Sequence, residues 1–455
     1  MKGNPEDRLT ILKNAQILTM NARQETWQGD ILIEEGKITG IGKYDTSLSN
    51  VVQLDGRIVC PGFVQTHVHL CRTIFRGLPA WRRHGAGLRR TLTALEAALT
   101  TETAYLGAMI AGMELIACGT TSVMTMEPAR HMDPVFEAMR TLGLRAVVAR
   151  SMPEDSPGLP FPLREKPAAA IKDCLRLIKQ WDGKEDGRLR FAVAPQAIPA
   201  DGDSAFRLAL ELARDQNVPI VMHGAEFPED VHRCMEKTGR RTIAALLSQG
   251  VPGNRLFLAH GVWVDDEEMA LMAKEGVHVL HCPTSNLSLG AGVAMITEMV
   301  RDGIRVTLGS DGVPGSENLD IFGEMRLAYA LQSQRKGTEA LEPADILRMA
   351  TADGARALGM DAVTGSLEIG KRADLVILKP NVFHAGFAAN PANALVRACT
   401  PANVETVMIN GDFVFRNGRF FGMNKEETVE KATRAVPELL RLAEQYGASN
   451  PGPVS

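Results

Sequence analysis

The spacing of apolar positions changes rhythm twice along this chain. Residues 9–57 carry short runs, "LTILKNAQILTM" and "GDILIEEGKITGIGKY", in which apolar and polar side chains alternate or cluster briefly. That is the period of a half-buried strand, and Glu34-Glu35-Gly36-Lys37 interrupts it as a hairpin turn does. The same texture returns near the other end in "ADLVILKP" and "VETVMINGDFVFRNGRF", punctuated by Asn410-Gly411 and Asn417-Gly418. Residues 1–60 and 362–423 are therefore expected to build one small β-sandwich domain from both chain ends. Residues 424–455 read as a tail helix followed by a loose terminus.

Between them, residues 61–361 alternate short β-branched apolar segments with helical patterns, as parallel βα units do. The candidate strands are "IVCPGFVQTH", "TTSVMTM", "RAVVAR", "LRFAVAPQ", "VPIVMHG", "RLFLAHG", "VHVLHCP" and "RVTLGSD". Eight is the number that closes a (β/α)₈ barrel of the TIM type. A doubly wound open sheet competes, but no GxGxxG follows the first strand. The expected fold class is α/β, a barrel flanked by the sandwich.

The ends of these strands carry the chemistry. His67 and His69 close the first, His223 the fifth, His260 the sixth, His281 the seventh and Asp311 the eighth. On a strand, residues i and i+2 face the same way, so His67 and His69 project side by side. Two histidines on a half-exposed strand would be the bland explanation for that pair alone. In a barrel the C-terminal strand ends share one mouth, and six convergent groups there point to a metal site. Imidazoles with a carboxylate suit zinc or another first-row divalent ion, which supplies hydroxide near neutral pH. Glu226, three residues after His223, can shuttle the proton, and Asp311 can both bind metal and accept a proton. His260 and His281 can ligate or can polarise the bond under attack. The fourth strand ends in Gln196, with no lysine to bridge a second ion, so one metal is expected. Trp81, His84, His131, Arg150 and Gln196 are placed as possible pocket residues.

Bulk composition narrows the partners. The 455 residues are 45% hydrophobic and 23% charged, with a net charge of −4 and no long run of one sign. Nucleic acid and anionic membranes get no support, and no apolar stretch is long enough to span a bilayer. Seven scattered cysteines fit reduced, buried thiols in the cytoplasm, and Cys71 and Cys282 are read as small hydrophobes.

At this point the sequence resembles the amidohydrolase superfamily, and within it the aminohydrolases of the ATZ/TRZ type. The resemblance runs over nearly the whole chain through "PGFVQTHVH", "HGAE", "LAHGVWVDDEE", "HCPTSNLSLGAGVAMITEMV", "LGSDGVPGSENLDIFGEMR" and "TGSLEIGKRADLVIL". It implies metal ligands at His67, His69, His223 and Asp311, a shuttle at Glu226, and water orientation by His281 with Asp311. It places His260 close to the metal, as a substrate-polarising group or an extra ligand, and it matches Asn286 and Glu324 as residues that hold loops. One divalent ion is implied, zinc first, with iron, cobalt or manganese as alternatives, in a homodimer or homotetramer acting on a small molecule. The pattern is similar to deaminases of 5′-deoxyadenosine, methylthioadenosine and S-adenosylhomocysteine, and to triazine hydrolases. The expected reaction is hydrolytic deamination of an amino-substituted N-heterocycle. The alternative is hydrolysis of a C–N, C–Cl or C–S bond in a triazine, urea or (thio)carbamate. A non-catalytic scaffold is the remote third, since the full ligand set is present. One departure matters: in "LPAWRRHGAGLRR", Ala86 and Gly87 stand where such nucleoside deaminases carry an acid and a tryptophan.

Overall fold

A computed structural model describes residues 9–44, 50–78, 86–152, 158–195, 204–380 and 390–447. Its strands sort into two sheets. The chain begins in a mixed sheet with β1 (Leu9–Leu18), β2 (Thr26–Glu34), β3 (Lys37–Gly42), β4 (Val51–Gln53) and β5 (Ile58–Pro61). It then enters a parallel sheet with β6 (Phe63–Val68), β7 (Thr120–Glu127), β8 (Arg145–Met152) and β9 (Leu189–Pro195). That sheet continues with β10 (Ile220–Gly224), β11 (Leu256–His260), β12 (His278–His281) and β13 (Arg305–Leu308). The chain returns to the first sheet with β14 (Leu375–Leu378), β15 (Val404–Ile409), β16 (Asp412–Arg416) and β17 (Arg419–Phe420).

The sequence led us to expect one strand over "IVCPGFVQTH"; the structure cuts it at Gly62. β5 pairs with β1 and β14, whereas β6 pairs with β7. A side chain at residue 62 would sit 2.1 Å from Thr121 Oγ1, so glycine is what lets the backbone pass from one sheet to the other. The Gly62 N–H donates to the Asp374 carbonyl at 3.0 Å, tying the crossing point to the far end of the chain.

The parallel sheet runs β6 to β13 in chain order and curls into a nearly closed barrel. Alternate residues fill its interior, among them Val64, Met124, Val147, Ala192, Val221, Phe257 and Leu280, while Val148, Phe191 and Ile220 face the surrounding helices. The last strand returns to the first through the paired hydroxyls of Thr66 and Thr307, 2.7 Å apart. Two backbone bonds finish the seam, Asp311 N–H to His67 O at 2.9 Å and His69 N–H to Asp311 O at 3.0 Å.

The strands from both chain ends form one continuous sheet, ordered β17-β16-β15-β14-β5-β1-β2-β3 with β4 beside β1. Ile31, Ile33 and Ile38 meet Leu375, Ile377 and Met408 in one buried cluster, so the sheet wraps over a core of its own. A buried Arg145–Asp374 pair joins it to the barrel, Nε–Oδ2 at 2.5 Å and Nη2–Oδ1 at 3.1 Å, with Asn410 completing the contact. The last helix, Lys425–Gln445, is capped by Asn424 and packs on the helices Ala86–Ala98 and Thr101–Ala117. No helix of the described residues is long and apolar enough to cross a membrane.

Candidate metal centre and active site

Each candidate ligand sits where its strand runs out at the barrel mouth. β6 contributes His67 and, one residue past its end, His69; β10 contributes His223. β11 and β12 end in His260 and His281, and Asp311 follows β13. Two of these residues and a neighbour adopt left-handed backbone: Ala225 at φ 48°, His260 at φ 74° and Asp311 at φ 62°. Such conformations cost energy for non-glycine residues and mark the abrupt turns that aim Glu226, His260 and Asp311 into the mouth.

The ligand atoms converge. Nε2 of His223 lies 3.2 Å from Nε2 of His67 and 3.3 Å from Nε2 of His69. Oδ1 of Asp311 lies 3.3 Å from His69 Nε2 and 3.6 Å from His67 Nε2. Ligands held about 2.0 Å from a tetrahedral zinc stand about 3.3 Å from one another, close to the His67–His223, His69–His223 and His69–Asp311 separations. His67, His69 and His223 form one potential ligand cluster, and His67, His260 and Asp311 another that shares His67. Burial first, then the neighbouring imidazoles and the charge of Arg72, hold His67 well below the usual imidazole range. Burial and Arg72 do the same for His69, and burial and His260 for His223. Shifts in this direction favour the neutral imidazole, the form that ligates an ion.

Neighbouring groups fix their orientation. His69 Nδ1 donates to the Met126 carbonyl at 2.5 Å, which leaves Nε2 as the ligand atom. Glu127, beside it, accepts from the backbone N–H groups of Leu70 and Cys71 at 2.7 and 3.0 Å and so holds the turn after His69. His260 Nδ1 donates to Asn286 Oδ1 at 2.9 Å, turning Nε2 toward Glu226, whose Oε1 lies 3.8 Å away. Burial pulls His260 down, but Glu226 and Asp311 outweigh it and raise its pKa. Burial lifts Glu226 above the ordinary carboxyl range against the pull of His260. His281 is driven to about 3 by burial and His260, and neither of its ring nitrogens has a partner among the described residues.

With that geometry in hand, the comparisons are decisive for the family. The model described as the amidohydrolase family matches residues 58–414. The chain belongs to the amidohydrolase family. It is 31% identical to a 5′-deoxyadenosine deaminase of Methanosarcina acetivorans over 95% of this chain and 99% of that protein. It is 32% identical to a 5-methylthioadenosine/S-adenosylhomocysteine deaminase of Syntrophobacter fumaroxidans, over 92% of this chain and 96% of the other. Among solved structures it resembles a zinc-complexed atrazine chlorohydrolase of Arthrobacter aurescens TC1, with TM-score 0.86, 26% identity, and 94% and 100% of the two chains covered. A zinc-bound adenosine deaminase of Xanthomonas campestris gives TM-score 0.86 at 25% identity, covering 94% and 98%.

Not every residue expected near the pocket of this amidohydrolase is open to a ligand. Arg150, buried at the end of β8, is committed to Glu165 at 2.7 and 2.8 Å and to Asp173 at 3.1 Å. His131 starts the helix Met132–Leu142 with its Nε2 on the Leu99 carbonyl at 2.9 Å and its Nδ1 near Thr101. Trp81, His84 and Gln196 lie outside the described residues. Cys71 and Cys282 are buried, their thiols raised well above the usual range by burial and nearby carboxylates. Glu324 holds a loop, accepting the Thr284 N–H at 3.1 Å. Two contributors were missed by the sequence reading. Ser285 donates to Asp311 Oδ2 at 2.5 Å, and Arg89, on the helix Ala86–Ala98, extends its charge to His223 and Glu226.

Proposed function

We propose that this amidohydrolase carries out hydrolytic deamination of an amino-substituted N-heterocycle, purine-like or triazine-like, with one divalent ion, zinc foremost. The carrying observation is the pair of ligand clusters that share His67, one with His69 and His223 and one with His260 and Asp311, with Glu226 beside His260. A divalent ion held there supplies a nucleophilic oxygen at neutral pH. His281, whose ring nitrogens have no partner among the described residues, and Asp311 orient the attacking water. Glu226, with its raised pKa, takes one proton from the water and passes it to the ring nitrogen; the second, released by the new hydroxyl as it becomes a carbonyl, is relayed through Asp311 and Glu226 to the amino group, which leaves as ammonia. His260, fixed by Asn286 and beside Glu226, polarises the bond under attack or takes a place among the ligands. The deaminase names of relatives matching nearly end to end support this reaction class.

A second reading concerns the substrate. The helix Ala86–Ala98 opens with Ala86 and Gly87, which offer no carboxylate to ribose hydroxyls, and Arg89 brings positive charge to that side instead. This favours a non-ribosylated compound, including triazines, ureas and thiocarbamates.

Zinc-loaded protein assayed on 5′-deoxyadenosine, S-adenosylhomocysteine, free aminopurines, aminotriazines and phenylureas tests both. Ammonia release from any aminoheterocycle, abolished by chelation and restored by about one zinc per chain, is the expected result. kcat/KM is expected to be higher for the best non-ribosylated compound than for either nucleoside. Turnover of ureas or chlorotriazines without any ammonia release would replace deamination by the second reading. Efficient turnover of 5′-deoxyadenosine alone would overturn the second reading.

A further inference from the structure

One short segment reaches two site residues that belong to different strands. The helical turn Pro283–Ser288 follows β12, and three of its consecutive residues are tied to the mouth. The Thr284 N–H is held by Glu324 of the helix Ile321–Lys336, Ser285 Oγ donates to Asp311 Oδ2, and Asn286 Oδ1 accepts from His260 Nδ1. Asp311 has two oxygens that could face the histidines. The 2.5 Å bond from Ser285 occupies Oδ2 and leaves Oδ1 as the atom near His67 and His69. A glycine makes this bond possible: a Cβ at Gly315 would lie 2.1 Å from Ser285 Oγ and 3.0 Å from Asp311 Oδ2. Asn286 does the equivalent for His260, holding Nδ1 and so turning Nε2 toward Glu226. The second amide atom, Asn286 Nδ2, is buried without a partner among the described residues and so adds no competing anchor there.

We propose that Ser285 and Asn286 are positioning residues that set the reacting atoms of Asp311 and His260, with Glu324 locking the segment that carries them. The assignment rests on the metal centre proposed above, not on the choice of substrate. Partners of metal ligands typically change metal affinity by about 10–100-fold when removed.

Zinc affinity measured by chelator competition, with the visible spectrum of the cobalt-substituted protein and the melting temperature of the metal-free protein, tests it without any substrate. For Ser285→Ala we expect zinc binding about 10–100-fold weaker, a changed cobalt spectrum, and a metal-free melting temperature close to that of the wild type. Gly315→Ala, which keeps the hydroxyl but pushes it off Asp311, should reproduce the loss even where Ser285→Ala folds poorly. Asn286→Leu should alter the cobalt spectrum, while Asn286→Asp, which keeps the acceptor, should restore it toward wild type. Wild-type affinity and spectrum in both Ser285→Ala and Gly315→Ala would overturn the proposal. So would a metal-free melting temperature that falls in step with affinity, since that marks general loosening. A wild-type protein with no tight zinc site would overturn the metal centre itself, and this role with it.

Discussion

Glu324 is a buried acid and Glu226 a half-buried one, and they stand in different relations to the mouth. Glu226 borders His260 and, in the proposed reaction, moves the proton, so Glu226→Gln should lower kcat by about 10²–10⁴-fold while zinc content stays at the wild-type level. A variant with near wild-type kcat would reassign the shuttle. Glu324 is pushed up to about 8 by burial, against the pull of its bonds to Thr284. Its folded pKa exceeds its unfolded value, so the folded state binds the extra proton between pH 4.5 and about 8, and stability falls as pH climbs through that window. Glu324→Gln is uncharged throughout and retains an acceptor for Thr284. Its melting temperature relative to wild type should therefore rise steadily from pH 5 toward pH 8; a difference independent of pH would mean that Glu324 stays ionised in the fold. The sequence marked Glu324 by its motif, but its protonation depends on burial under residues far away in the chain, and no local pattern encodes that.

At the level of strands and turns, the site-bearing ends were legible because short apolar runs stop on a histidine in four of the eight segments and on an aspartate in a fifth. Gly62 was not legible. Both sides of it have the same apolar texture, and only Thr121, from β7, makes glycine necessary there. Ser285 escaped for a related reason, since its acceptor Asp311 lies 26 residues away at the end of another strand. The turn after β10 shows how little backbone separates a ligand from a proton carrier. Ala225, left-handed at φ 48°, swings Glu226 inward from the strand that carries His223. Ala225→Gly would relieve about 1 kcal/mol of backbone strain and forfeit about as much methyl burial. The melting temperature should stay nearly constant, while the freer turn lets Glu226 wander and lowers kcat by up to about 10²-fold. Unchanged kcat would show that packing, not the turn, holds the carboxylate.

For the molecule as a whole, the buried Arg145–Asp374 ion pair ties the two sheets together. Arg145→Met leaves Asp374 charged and unpaired, which should cost about 3–5 kcal/mol, whereas Arg145→Met with Asp374→Asn should recover part of the loss. Scanning calorimetry on the three proteins checks this, and equal losses in single and double variants would place the energy elsewhere. The barrel seam has a different kind of consequence. The backbone groups that shut it belong to His67, His69 and Asp311, the same residues whose side chains converge on the candidate ion site. Ion occupancy and seam closure are therefore thermodynamically linked: whatever binds only the shut form disfavours local opening, by about 2.7 kcal/mol at a hundredfold excess over Kd. Amide hydrogen exchange would register this directly. Added zinc should slow exchange at His69 and Asp311 far more than in the middle of β9, on the opposite wall. Equal slowing at both places would mean that the barrel opens only by unfolding entirely.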